Sequence, residues 1–461
     1  MAKFEITAWH PAQHIEKKMI YDSSVSTLTW EDGTNVIPDV NVSEDVKTPA
    51  KINHGKRNLK TVKIQLGLSC NFECDYCSQR FVPNSEETSP KDVVPFVNNM
   101  SNWCPSGDDG MGKGIHFEFW GGEPFVYWKT MKPLAEQIRA KYPNSTFSVI
   151  TNGSILDDEK IEWLEELDFW VGMSHDGPGQ HVRGPDPFDD PQVKKSVAKL
   201  FKRFAPAQKF SFNAMIHTGN ISRDAIQTYF ADWVKTNVGE SYLKYLSIGE
   251  GGFVDAYDEG GLANSFKQQE EEISYRNLAY KEIREYKATT FISIGQKLES
   301  FINSIKRGTR IESLPQKCGM DKSDSMAVDL NGNVLTCQNV SSVSTNPAGI
   351  SHHIGHVSDL ENVKLDTATH WSDREECPKC PVVHICKGAC MFLSGPLWEA
   401  SCNNAFSDNI VVFCNAIEFA TGWVPQYIDG PQREDRKDIF WWNGKPEVVR
   451  KTKKIIPIQA I

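Results

Sequence analysis

The sequence predicts an α/β protein in which a partial (β/α)6 barrel precedes a small cysteine-rich domain. Two observations predict it. Between residues 62 and 306, six apolar, β-rich runs alternate with amphipathic helical stretches, the pattern of a parallel sheet that curves. The 12 cysteines then divide unevenly: three at 70, 74 and 77, one at 104, and the remaining eight between 318 and 414.

The units follow in order. VKIQLGLS (62–69) reads as a strand and DVVPFVNNM (92–100) as a helix. IHFEFW (115–120) precedes a helix near 127–141, and TFSVITN (146–152) precedes one near 157–167. DFWVGMS (168–174) leads to a helix near 190–204, and KFSFNAMIH (209–217) to one near 222–236. LKYLSIG (243–249) is the sixth strand, followed by a long helical region over 262–306. Six units are fewer than the eight of a closed TIM barrel, so the expected barrel is TIM-like and open. Such barrels carry their chemistry at the C-terminal ends of the strands. The cysteine trio, GGEP (121–124), TNG (151–153) and SHDG (174–177) all fall there. The expected divisions are an N-terminal extension over 1–60, the barrel over 61–308, the cysteine-rich domain over 309–420 and a tail over 421–461. The extension reads as irregular with about two short strands, and alternation appears only briefly, in VSTLTW (25–30). The tail is charged and aromatic, with DIFWWNGK at 438–445.

The net charge of −10 gives no basis for nucleic-acid binding. The N-terminus lacks a secretory apolar stretch, and no run of apolar residues is long enough for a membrane span. A cytoplasmic protein is expected. A reducing compartment disfavours disulfides, so 12 cysteines point to metal ligands or catalytic thiols.

Cys70, Cys74 and Cys77 have the spacing C-x3-C-x2-C directly after a strand. Three thiolates on a short loop can hold three irons of a [4Fe–4S] cube and leave the fourth iron open. The alternatives are a zinc site or buried structural thiols; three close cysteines without a nearby fourth ligand suit zinc less well. With Tyr76 just before the last cysteine, this stretch resembles the radical SAM superfamily, and the resemblance runs over about residues 61 to 420. It implies that the open iron chelates S-adenosylmethionine (SAM). Reductive cleavage then yields a 5′-deoxyadenosyl radical that takes a hydrogen from the substrate. It also implies SAM contacts from Tyr76, from Gly121, Gly122 and Glu123, and from Asn152, Ser174 and Asp176. His175 stands where the family has a small or apolar residue. Arg183 lies near a family arginine that can pair with a carboxylate, but reads by itself as a surface arginine.

Downstream, Cys377, Cys380, Cys386 and Cys390 run C-x2-C-x5-C-x3-C, preceded by Cys318 and Cys337 and followed by Cys402. This resembles the SPASM domain, which holds two auxiliary [4Fe–4S] clusters, so three clusters are expected in all. The resemblance implies Cys318, Cys337 and Cys390 on an inner cluster, and Cys377, Cys380, Cys386 and Cys402 on an outer one. The fourth inner ligand is open between Asp324, an empty corner and another residue. Cys414 reads as a core thiol, the alternative being that it replaces Cys402; Cys104 reads as structural. Zinc is the competing metal for the module.

The resemblance implies an oxidoreductase that modifies a side chain of a ribosomally made peptide or protein, by oxidation or cross-linking, with electrons from a flavodoxin- or ferredoxin-like donor. The rivals are a small-molecule dehydrogenase or isomerase and a zinc-stabilised binding module. Sulfatase maturases have an aspartate base after the cysteine matched by Cys337. Gln338 stands here and cannot accept that proton, so the base is unassigned. Many peptide maturases carry a winged-helix leader-binding module; residues 1–60 lack its helices, so leader binding is expected to be absent, reduced or supplied by another chain. His217, His352, His353, His356 and His370 are catalytic candidates, each more simply read as structural.

Overall fold

The computed structural model describes residues 2–38, 54–83, 88–108, 112–249 and 252–437. The aromatic stretch 438–445 lies outside the described residues, as does part of the N-terminal extension. Alternation in KFEITAWH makes Lys3–His10 a strand (β1), followed by Ile15–Asp22 (β2) and Thr27–Trp30 (β3). Eight strands then form the central sheet. They are Thr61–Gln65 (β4), His116–Trp120 (β5), Thr146–Thr151 (β6), Phe169–Ser174 (β7), Phe210–Asn213 (β8), Ser325–Asp329 (β9), Asn333–Leu335 (β10) and His353–His356 (β11). Their order is β11-β10-β9-β4-β5-β6-β7-β8, parallel from β9 through β8 and antiparallel across β9, β10 and β11. The last strand, Val424–Asp429 (β12), joins the first sheet in the order β12-β1-β2-β3.

The helices are Pro90–Trp103 (α1), Trp128–Lys141 (α2), Asp158–Glu166 (α3), Pro191–Phe204 (α4), Arg223–Asn237 (α5), Glu259–Ala263 (α6), Gln269–Arg284 (α7), Ile292–Arg307 (α8), Val383–Cys386 (α9) and Gly395–Thr421 (α10). Proline at the start of α1 and α4 suits the first turn, where a donor is unpaired anyway. Asp157 caps α3 through Lys160 N–H, and Ser222 caps α5 through Ala225 N–H. A curved parallel sheet with helices along it is the predicted partial barrel.

Three readings need correction. The sixth strand shrinks to one bridge: a 3-10 turn fills Glu240–Tyr245, and Ile248 alone pairs with Phe212 and Phe291. Only Leu246 and Ile248 of that run reach the core, too few to hold a ladder. A strand from the cysteine-rich region takes a place in the sheet, because β9 pairs in parallel with β4, Thr61 against Ser325. The N-terminal segment is an ordered antiparallel sheet. Phe4, Ile6 and Ala8 are fully buried, and Tyr21 packs edge-on to Phe413 of α10 at 5.3 Å. Each large apolar side chain buried this way contributes about 1.5–3 kcal/mol.

Helix α10 carries Cys402 and is locked to the barrel by a buried polar seam. Asp408 pairs with Arg223 of α5, accepts from Tyr275 Oη of α7 at 2.6 Å, and meets Lys297 of α8 at 3.0 Å. Removing one partner would leave charge buried alone, which makes the seam demanding in position. No helix among the described residues is long and apolar enough to cross a membrane.

Candidate active site and thiol clusters

The loop after β4 carries Cys70, Cys74 and Cys77. Backbone N–H groups point at two of the sulfurs, Phe72 at Cys70 (3.4 Å) and Gln79 at Cys77 (3.5 Å). Burial pushes the Cys74 thiol up to about 12, with Cys77, Asp176 and Cys70 adding to the rise and Arg183 opposing it. Grouped thiols raised by burial and by one another lose their protons to a metal, not to water. Among the described residues no three His, Cys, Asp or Glu side chains converge as on a single metal ion. An iron–sulfur cube is wider than one ion, and its thiolates stand further apart than those of a zinc tetrahedron. These residues fit such a cube.

The glycine motif after β5 packs directly on this loop. Gly122 N–H donates to Gly67 O (3.1 Å) and Glu123 N–H to Ser69 O (3.0 Å). A Cβ on Gly122 would lie 2.4 Å from the carbonyl oxygens of Leu68 and Ser69, so only glycine allows the approach. Glu123 is buried and accepts from Phe125 N–H (3.1 Å), Thr151 Oγ1 (2.8 Å) and Asn152 N–H (2.7 Å). Its carboxylate therefore ties the end of β5 to the end of β6. Asn152 in turn donates to Asn71 Oδ1 at 2.9 Å, inside the cysteine loop. Gly121 lies beside Gly67 O and Tyr127, and Ser174 ends β7 half-buried.

Tyr76 and Asp176 meet: the phenol donates to the carboxylate, which also accepts from Met215 N–H at 3.0 Å. Arg183 closes the group, donating to Tyr76 Oη at 2.8 Å with Asp176 at 3.7 Å. Its side chain is only 12% exposed, so the reading of a surface arginine is overturned. Asp176, itself wholly buried, and the phenol hold the charge inside. His175 points away into the helix layer. It stacks on Phe188 at 4.4 Å and reaches Asp186 at 3.1 Å, and burial keeps it below its ordinary pKa.

The C-terminal cysteines form two groups. Cys377, Cys380, Cys386 and Cys402 line one small apolar cavity of about 20 Å3, together with Arg436. Burial raises Cys377, and Cys402, Cys386 and Cys380 raise it further. Arg436 donates to the Cys402 sulfur at 3.2 Å. Cys318, Cys337 and Cys390 line a second, larger cavity of about 670 Å3. Burial pushes Cys337 up to about 11, with Cys318 adding; Cys390 is raised by burial, by Asp255 and by the other two thiols. Both groups fit iron–sulfur clusters by the same chemistry as the first trio. Cys414 is fully buried in the middle of α10, and Cys104 is buried below the α1 terminus, its carbonyl accepting from Tyr142 Oη at 2.7 Å. Asp324 pairs with Lys60 at 3.3 Å before β4.

Comparison with known proteins places this geometry. The Radical SAM superfamily model matches residues 64–228, which span the cysteine loop, both glycine-bearing turns and the Tyr76–Asp176–Arg183 group. The chain carries a radical SAM domain. Such a domain implies a [4Fe–4S] cluster and SAM. The radical SAM cyclopropyl synthase TigE of Paramaledivibacter caminithermalis is 21% identical over 371 residues, covering 72% of this chain and 68% of that protein. A cysteine-type anaerobic sulfatase-maturating enzyme of Clostridium perfringens is 25% identical over 361 residues, covering 70% and 85%. The structure of native anSMEcpe with bound AdoMet and Cp18Cys peptide shares the fold. Its TM-score is 0.53 at 20% identity, over 78% of this chain and 98% of that one. Residues 64–228 thus match a radical SAM domain, and the chain is similar to maturases such as the sulfatase-maturating enzyme.

Of the histidine candidates, His352 lines the larger cavity and bonds Thr336 Oγ1 at 2.6 Å, and the His217 ring lies tilted against Tyr76 at 5.8 Å. His353 is exposed on β11, and His356 and His370 bond serines two residues on, Ser358 and Ser372, both at 2.8 Å. Gln338 lines the cavity and its carbonyl accepts from Gln65 Nε2 at 3.0 Å. Sequence reasoning missed Lys63, Asp255, Tyr257 and Lys317 in that cavity wall, and Arg436 in the smaller one. None sits in a motif; each arrives from a different segment.

Proposed function

We propose that this radical SAM enzyme abstracts hydrogen from a side chain of a ribosomally made peptide or protein, leading to oxidation or a cross-link. The observation that carries the reading is the larger cavity. Its wall runs from Ser78, the residue after Cys77, to Cys318, Cys337 and Cys390, so one space reaches from the end of the first cysteine loop to the inner thiols. A substrate seated there lies between the site of radical formation and an acceptor for the departing electron. The space, about 670 Å3 with the site of a cluster on its thiols included, has apolar walls from Phe81, Val82, Pro83, Met215 and Phe392 that suit a peptide segment. The names of the relatives, sulfatase-maturating enzymes among them, support a peptide or protein substrate.

A cluster on Cys70, Cys74 and Cys77 would supply the electron that cleaves SAM. The chain's own part is positional. Gly121 and Gly122 allow close backbone approach, and Glu123 and Asn152 fix the loop ends. Tyr76, Asp176 and Ser174 form the wall on the β7 side. Auxiliary clusters on Cys318, Cys337 and Cys390, and on Cys377, Cys380, Cys386 and Cys402, would carry the substrate electron to an external flavodoxin- or ferredoxin-like donor–acceptor.

Anaerobic protein, reconstituted with iron and sulfide and given reductant and SAM, tests the reading. The expected results are about 12 irons per chain, 5′-deoxyadenosine, and a mass change on a candidate peptide. Colourless zinc protein, or no deoxyadenosine from fully loaded enzyme, would overturn it.

A further inference from the structure

Three thiols, Cys318, Cys337 and Cys390, border the larger cavity, one short of a fully ligated cube. The residue at the obvious spacing, Asp324, is turned to Lys60 at the base of β4 and is not part of the cavity wall. Asp321 is buried near Cys318, takes Gln316 N–H at 3.1 Å, and is also absent from the wall. The ionisable oxygen and nitrogen groups that do line it with the thiols are few. Asp258 is spent capping α6 through Gly261 N–H at 2.8 Å, and His352 bonds Thr336. Asp255 is different. Its Oδ2 lies 3.5 Å from Tyr257 Oη and 3.5 Å from Lys317 Nζ, the neighbour of Cys318. Asp255, Tyr257 and Lys317 share one cavity wall with all three thiols. Iron accepts carboxylate as well as thiolate.

We propose that Asp255 supplies the fourth ligand of the inner auxiliary cluster, with Lys317 holding its carboxylate in place. The proposal rests on the auxiliary-cluster reading above. Asp255 reaches the site from the segment between β8 and α6, so the barrel itself would then grip a cluster otherwise held by the C-terminal domain.

The full chain with Cys70, Cys74 and Cys77 replaced by Ala isolates the auxiliary clusters for iron analysis, Mössbauer and EPR spectroscopy. This parent is expected to hold two cubes. Adding Asp255→Asn should convert about half of its clusters to a [3Fe–4S] form, because one inner corner loses its ligand. Asp255→Cys should restore the cube with altered spectra. Tyr257→Phe and Asp324→Asn should leave both cubes. A parent without iron defeats the auxiliary-cluster reading. A parent with two cubes that Asp255→Asn leaves unchanged, or that Tyr257→Phe or Asp324→Asn breaks instead, overturns the assignment of Asp255 alone.

Discussion

The Arg436 guanidinium donates a hydrogen bond to the Cys402 sulfur at 3.2 Å, from a segment that follows β12. Arg436 is buried, lies over the Phe406 ring at 4.4 Å and also bonds Asn403 Oδ1 at 2.9 Å. A fixed positive charge against a cluster sulfur favours the reduced, more negative cluster. Arg436→Gln should lower the outer cluster's midpoint potential by about 60 mV, which corresponds to a tenfold change in a one-electron equilibrium. An EPR-monitored redox titration reads it; an unchanged or higher potential with full iron content contradicts the arrangement.

Gly122→Ala tests the contact between the glycine turn and the cysteine loop. The added methyl meets two carbonyl oxygens at 2.4 Å, and backbone must move. Reconstituted protein should lose about four of its irons, those of the first cluster, and keep the auxiliary absorption. Full iron loading with normal SAM cleavage would contradict the packing.

Arg183→Met should destabilise the cluster-free protein by about 3–5 kcal/mol, since it strands the Asp176 carboxylate in a dry site. Adding Asp176→Asn should recover part of the loss. Denaturant midpoints of the two variants check this; equal losses in both would mean that the pair is not coupled.

His352 sets an acid limit. Burial pushes its pKa down to about 4 from 6.5, so the folded state keeps it neutral while the unfolded chain takes up a proton. Its stability contribution is complete above pH 6.5 and is lost as pH falls toward 4, by roughly 3 kcal/mol at most. His352→Gln should flatten that part of the stability–pH curve. A curve as steep as that of the parent would assign the acid sensitivity to other groups.

The strands from β4 to β8 were legible because each is a short apolar run, and the cysteine, GGEP, TNG and SHDG motifs after β4 to β7 fall on the cysteine-bearing rim. The N-terminal sheet was not. Phe4, Ile6 and Ala8 alternate plainly, but beside the local partner β2 the strand pairs with β12, and pairing over so long a separation leaves no local mark. Arg183 was misread for a similar reason: its buried surroundings come from Tyr76 and Asp176, more than a hundred and only seven residues away respectively. Glu123 read as an acceptor in a motif, whereas its donors on β6 show it fastening two loops. The cysteine spacing revealed the thiol groups, but the charges that surround them come from turns with no signature.

Pairing of β1 with β12 has a consequence for biogenesis. Strand β1 must wait for β12, about 400 residues later, before its sheet can close, and the arginine at the outer thiols follows β12. Maturation of the outer site therefore waits until the chain has been made through Arg436, so metal delivery to it has to act after the barrel strands β4 to β9 are in place.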